Sequence, residues 1–329
     1  MRLIEPSVEI IDQEFGLIGV YKQIEKAARV SYKSEDRITE GSAQKMVDTL
    51  IKNKHNACLE HGTIYLQVPI NSSGTLICGK YQSKQYSKVR NDLENHFFCI
   101  TTNVRVLIEN GWLDDLKYLC KPTEYHEKRI TVKFTTSMGI VREILRHRAF
   151  SFMNESTRYC NYSKDKFDNQ LTYIIPQWIY DVQCEQADYE RWPTGEKKTD
   201  LMQLSGEELV EALSCEDRGV CAWLDCLERI ESDYIYLTQV DEHYLLKAEE
   251  ARGILPLDLK SELIVTGFVS DWLHFFALRS YIAATGKPHP DLRILADNLL
   301  LMFLDRGYVT NEDIDRLKDE KRKQNSQNN

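Results

Sequence analysis

The chain has 329 residues, 42% hydrophobic and 28% charged, the balance of a soluble globular protein with room for one large domain or two ordinary ones. Its formal net charge of −9 argues against nonspecific nucleic-acid binding, which needs excess Lys and Arg, yet leaves room for a small anion in a local basic pocket. The nine scattered cysteines form no CxxC pair, which argues against a zinc ribbon or a thioredoxin-type site and reads as reduced, mostly buried thiols.

Residues 1–12 place Leu3, Ile4, Val8, Ile10 and Ile11 in rough alternation and predict a strand. Acids within this apolar start leave no signal-peptide core, and no apolar run approaches the ~20 residues that span a bilayer. A cytoplasmic protein with no membrane partner is expected. Helical spacing follows over 20–32 (Ile24, Ala27, Ala28, Val30) and 42–53 (Ala43, Met46, Val47, Leu50, Ile51), and TIYLQVPI at 63–70 predicts a strand. Residues 71–129 change character: they open on Asn-Ser-Ser-Gly, hold strands or helices at 97–109 and 112–120, and close on a polar run. Another strand is predicted at 130–136. A helix over 140–149 then delivers Arg146-His147-Arg148, with Arg142 and Arg146 sharing a face. The acidic stretch 181–221, broken at Trp192-Pro193, reads as an insertion or long connection. A long helix is predicted from about 223 to 253, stopped by Pro256. An extended piece at 263–265 and an aromatic-rich helix over 269–284 come next, and the charged, amide-rich tail 318–329 is expected to fray. No internal repeat is present. No Gly-x-Gly occurs either, so a Rossmann dinucleotide turn is absent.

Residues 146–159 carry the strongest signal. Three Arg (146, 148, 158), His147, Asn154, Glu155 and the hydroxyls of Ser151, Ser156 and Thr157 fall within fourteen positions of an acidic chain. Guanidinium forks suit phosphate and carboxylate and stay charged at any working pH. Arg-His-Arg alone is most often a solvated basic helix end. Here it is followed, after seven residues, by Ser156 and then Arg158-Tyr159, and that spacing resembles the signature of the flavin-dependent thymidylate synthases. Two further segments carry the same resemblance. His55-Asn56-Ala57-Cys58-Leu59-Glu60-His61 is similar to a family segment in which a His near the flavin precedes a Glu-His pair. Arg252-Gly253-Ile254-Leu255-Pro256 is followed twenty-seven residues after its Arg by Arg279 on the aromatic helix, as in the family.

The resemblance implies an α+β fold, a mixed β-sheet core with flanking helices. It implies one catalytic domain over 1–310, with insertions at about 71–129 and 181–224 and a charged tail at 311–329. It further implies a homotetramer with sites between subunits. The implied reaction is reductive methylation of dUMP to dTMP, with 5,10-methylenetetrahydrofolate as carbon donor and FAD, recharged by NADPH, as hydride donor. The positions implied for dUMP are Glu143, Arg146, Asn154, Glu155, Ser156, Thr157, Arg158 and Arg252. Those implied for FAD are Ser31, His55, Ala57, Arg146, His147, Arg148, Asn154, Phe268 and His274. The Asn-Glu pair stands one position later than is common in the family, so Asn154 and Glu155 both remain candidates for the ligand-contacting place. Ala57 and Phe268 occupy places where relatives often carry a hydroxyl and an Asn.

Carbon 5 of uracil becomes nucleophilic when electron density is pushed into the ring, and a guanidinium beside N3 and O4 stabilises the charge that develops. Arg279 is the catalytic candidate for that role. Ser156 has no evident base partner and is assigned to substrate, and nothing activates Cys160. Two other classes remain. One is a catalytically silent nucleotide- or RNA-binding protein that keeps the Arg-rich pocket. The other, a zinc hydrolase on His55 and His61, lacks a ligand set, so no metal is expected.

Overall fold

Pro6, which has no N–H to give a ladder, divides the first twelve residues into two strands that join different sheets. The computed structural model describes residues 1–189, 203–215, 217–240, 245–282 and 287–327. In chain order the elements are β1 (Arg2–Ile4), β2 (Ser7–Ile11), α1 (Leu17–Val30), α2 (Ser42–Lys52), β3 (Thr63–Pro69), α3 (Ser72–Gln82), β4 (Lys88–Asp92), β5 (Phe97–Asn103) and α4 (Val104–Asn110). They continue with β6 (Arg129–Ser137), α5 (Met138–Ile144), β7 (Ser151–Asn154), β8 (Thr172–Ile174), α6 (Gln177–Tyr189), α7 (Gly206–Ser214) and α8 (Arg218–Ile235). The last are α9 (Ala248–Ala251), β9 (Lys260–Phe268), α10 (Val269–Arg279), α11 (Pro290–Asp305) and α12 (Asn311–Gln327). The architecture is α+β, with sheets at the centre and helices flanking them.

Three sheets form among the described residues: an antiparallel set ordered β2-β6-β9-β7, an antiparallel set ordered β3-β5-β4, and a parallel pair β1-β8. The first packs one face against α10 and α11. There Phe134, Trp272, Phe275, Phe276 and Phe303 are buried together, and α11 turns Leu292, Leu295, Ala296, Leu299 and Phe303 inward at helical spacing. Strands β4 and β5, within 71–129, complete the second sheet and share a core with α1 and α2 through Val20, Ile24, Val47, Leu66 and Ile100. The third core joins β1 and β8 to α7 and α8.

Several element boundaries differ from the predicted ones, each for a local reason. The segment 97–109 is a strand and then a helix, because the Asn103 side chain accepts from Val106 N–H at 3.1 Å and caps α4. The helix predicted over 140–149 ends at Ile144. Phe150 is buried, and Ser151–Asn154 must extend to pair with β9, so Arg146 leaves the helix face of Arg142. The helix predicted over 223–253 starts at Arg218 and widens into a π-turn at Tyr236–Val240. The Thr238 hydroxyl donates to the Tyr234 carbonyl at 2.7 Å there and competes with the backbone ladder. The aromatic helix ends at Arg279, not at 284, because Ser280 turns extended and Ile282 is buried. The charged tail is helical from Asn311. Thr310 and Asp313 cap each other's N–H groups, and Ile314 and Leu317 reach the core. Within 181–221, α6 and α7 are helices, while Trp192-Pro193 lies outside the described residues.

A buried polar layer joins the two antiparallel sheets. Arg129 at the start of β6 donates from Nη1 to the Glu60 carbonyl at 2.8 Å and from Nη2 to Ser151 Oγ at 3.1 Å. His61 Nδ1 lies 2.8 Å from Thr266 Oγ1, which bonds Thr131 Oγ1 at 2.9 Å. Burial, with Arg129 beside it, pushes His61 down to about 3.

Two outcomes are expected from this packing. A Cβ added at Gly267 would stand 2.1 Å from Phe150 Cδ1, so Gly267→Ala is expected to cost about 1–3 kcal/mol in a denaturant titration. His61 titrates near 6.5 when unfolded but only near 3 when folded, so below 6.5 the unfolded chain binds the extra proton. Stability is therefore expected to fall as pH drops from 6.5 toward 3, and denaturant midpoints for His61→Gln should decline less steeply over that window.

Candidate active site

Helix α10 has one face in the core and another on the site. Trp272, Phe275 and Phe276 turn into the core, and Asp271, His274 and Leu278, three and four apart, line a cleft together with Arg279. The opposite wall is the turn Arg146–Phe150, which follows α5 and leads into β7. The cleft has a volume of about 530 Å³. Thus Arg146, His147, Arg148, His274 and Arg279, far apart in sequence, meet at one place.

Arg279 is half-buried and held on two sides. Its Nη1 donates to Glu143 Oε2 at 2.8 Å, and its Nε donates to His147 Nε2 at 3.1 Å. The His147 ring lies edge-on to Phe275 at 5.1 Å. Burial first, then the Arg279, His274 and Arg146 charges, push His147 down to about 4. At neutral pH it is therefore an uncharged imidazole. Because Nε2 accepts from Arg279, its proton sits on Nδ1. Arg146 and Arg148 are exposed, and neither makes an ion pair among the described residues.

The wall is buttressed from behind. Phe150 packs at a tilt of 45° on Trp272 with ring centroids 4.5 Å apart, and its carbonyl accepts from the Tyr86 hydroxyl at 3.4 Å. Phe268 is buried, its ring between the Lys88 ammonium at 4.5 Å and the Arg129 guanidinium at 5.6 Å. Lys88 in turn bonds Ser270 at 2.6 Å and Glu127 at 2.8 Å, which ties β4 to the start of α10. Sequence reasoning missed Asp271, Tyr86, Lys88 and Arg129 in this surrounding. Only Asp271 had a readable signal, since it stands three residues into a helix and accepts from Phe268 N–H at 3.1 Å.

The remaining predicted residues gather at the other end of β7. Ser156 N–H donates to the Ser31 carbonyl at 3.1 Å, and the Ser31 hydroxyl points at Met153 Sδ, 2.8 Å away. Tyr32 and Tyr159 stack at 4.6 Å, and Arg158 pairs with Glu249 of α9 at 2.8 Å. Arg252 is exposed on the turn after α9, and Thr157 is half-buried. Asn154 and Glu155 part company here. Half-buried Asn154 accepts from Ser261 Oγ at 3.1 Å, whereas Glu155 turns inward to Lys260 Nζ at 2.7 Å and the Tyr162 hydroxyl at 3.0 Å. His55 and Ala57 are exposed at the start of the 3-10 turn Asn56–His61, whose last residue is buried.

Similarity to known proteins follows the same residues. Residues 82–305, well over half of the 329, match the family described as thymidylate synthase complementing protein. The flavin-dependent thymidylate synthase of a Synechocystis strain is 26% identical over 175 residues, covering 52% of this chain and 66% of that protein. A probable flavin-dependent thymidylate synthase of Paramecium bursaria Chlorella virus 1 is 27% identical over 166 residues, covering 50% and 62%. The chain thus matches less than two thirds of the length of either relative. A UMP/dUMP methylase, PolB from Streptomyces cacaoi, aligns over 93% of both chains at 17% identity and a TM-score of 0.40, too loose a likeness to carry an argument. The Arg-His-Arg turn, the serine and arginine after it, and the arginine of α10 all fall inside the matched stretch, and the chain belongs to the thymidylate synthase complementing protein family.

Proposed function

We propose that the chain is a flavin-dependent thymidylate synthase that methylates carbon 5 of dUMP. The observation that carries this reading is the convergence of Arg146, Arg148 and Arg279 on one cleft with a neutral His147 between them. FAD fits the donor set present: Arg146 and Arg148, two exposed guanidinium groups with no ion-pair partner among the described residues, line the cleft, as an anionic group requires. Arg146, His147, Arg148 and His274 would hold it, with Ser31, His55, Ala57, Asn154 and Phe268 as the further positions the resemblance implies. Bound and recharged by NADPH, the flavin would supply the hydride that turns a methylene from methylenetetrahydrofolate into a methyl.

The chain's own part is orientation and charge. Arg279 faces the uracil ring and stabilises the negative charge that builds on it as carbon 5 attacks the one-carbon unit. The carbon-5 proton is lost to solvent, and tetrahydrofolate leaves as the bonds from its nitrogens to the one-carbon unit break. Ser156, Arg158 and Arg252 hold the nucleotide. In one chain these three lie at the far end of β7 from Arg146–Arg148, a strand whose four residues span roughly 10 Å. A second copy that brings its own Ser156–Arg158 end to the cleft would complete the site, and a homotetramer working in the cytoplasm is the assembly we propose.

Tritium release from 5-tritiated dUMP, with FAD, NADPH and methylenetetrahydrofolate supplied, is expected and should require FAD. Arg279→Ala is expected to lower that release about 10²-fold in folded protein, and near-normal release at saturating dUMP would remove Arg279 from the ring. Absence of release from folded wild-type protein would favour a nucleotide-binding role instead. Light scattering is expected to give a mass near four chains, and a monomer would contradict the shared site.

A further inference from the structure

Glu143 stands in the last turn of α5, where the resemblance would have it hold substrate. Its carboxylate is already committed. Oε2 takes the Arg279 Nη1 hydrogen at 2.8 Å, while His147 Nε2 takes the Nε hydrogen at 3.1 Å. A guanidinium has five N–H bonds, and these contacts use one on each side of the group. One hydrogen on Nη1 and both on Nη2 are left, which is the terminal fork that can meet a pair of acceptors. A long side chain gripped on both sides has lost most of its rotamer freedom before any ligand arrives.

We propose that Glu143 is a positioning residue: it aims the terminal fork of Arg279, and through Arg279 it holds His147 in the tautomer protonated on Nδ1. This rests on the reading of Arg279 as the group that faces the uracil ring. Glu143 then sets how well the charge on the ring is met, and His147 meets its ligand as a hydrogen-bond donor. Glu143 is half-exposed and outside the hydrophobic cores, so its replacement leaves the fold intact.

Full-length Glu143→Ala and Glu143→Gln proteins test this in two ways. In tritium release, Glu143→Ala is expected to lose about tenfold or more in turnover, with dUMP affinity kept within about threefold. Glu143→Gln should recover most of the turnover, because the amide oxygen accepts the same Arg279 hydrogen. Weakened dUMP binding at unchanged turnover would instead make Glu143 a direct ligand contact and overturn the proposal. The second readout is the nitrogen NMR spectrum of histidine-labelled protein, with His147 assigned by its own substitution. Wild type should show His147 protonated on Nδ1, and Glu143→Ala a mixture of tautomers. An unchanged tautomer in Glu143→Ala would overturn the positioning role. These spectra need no turnover, so they judge the Glu143–Arg279–His147 geometry even where the uracil reading fails.

Discussion

Strand β9 is paired on both edges, to β6 along nine residues and to β7 along four, and the rest of the molecule is arranged around that double pairing. Because β7 is so short, its two ends deliver the chain to different places. Ser151 opposes Thr266, near the start of α10, so the Arg-His-Arg turn before it faces that helix. Asn154 opposes Leu263, so Glu155 and Ser156 emerge beside Lys260, Glu262 and the end of α1. The pairing register thus splits one contiguous signature into two clusters. A slip of one residue would turn every side chain of β7 to the other face.

The price of joining the two antiparallel sheets is a buried guanidinium. Arg129 is almost wholly removed from water, and that burial holds it down to about 10, yet it stays charged at any working pH. Its hydrogen bonds to Glu60 and Ser151 offset part of the desolvation and pin the residue at which the Arg-His-Arg turn becomes strand. Tyr86 adds to this, its ring centroid 5.6 Å from the Arg129 guanidinium. Its backbone is left-handed, with φ of 57°, an uncommon conformation for a bulky residue, and its hydroxyl reaches the Phe150 carbonyl. Together they fix residues 150 and 151 from the side opposite the cleft.

The cleft itself is a study in which charges are spent and which are kept. Arg279 is paired to Glu143, and His147 is uncharged, so the floor near α5 is close to neutral. Arg146 and Arg148 at the rim have no ion-pair partner among the described residues and carry the attraction for an anionic ligand. At the other end of β7 the pattern inverts. Glu155 is sealed against Lys260 and Tyr162, and the pair Lys33–Glu262 continues the network, so the acid next to Ser156 shapes the backbone there.

Much of this was legible in the residues. Apolar periodicity found α1, α2, β3 and β6, and the spacing of Arg146, Ser156, Arg158, Arg252 and Arg279 pointed to a family whose membership the matched stretch supports. Composition and spacing are local properties, and they could not see what β9 recruits from a distance. The extended conformation of Ser151–Asn154, the early end of α5 and the inward turn of Glu155 are imposed by partners more than a hundred residues away. Nor could they reveal that Lys88 and Tyr86, from a stretch that looked like an inserted segment, support the cleft, since a lysine and a tyrosine in a polar run carry no periodic mark. The sequence by itself determined the chemistry on offer, because residue type sets charge and donors, and its family signature implied the α+β class. The tertiary structure alone decided which guanidinium is aimed, which histidine is neutral and which acid is buried, because desolvation and pairing depend on neighbours that only the folded chain brings within bonding distance.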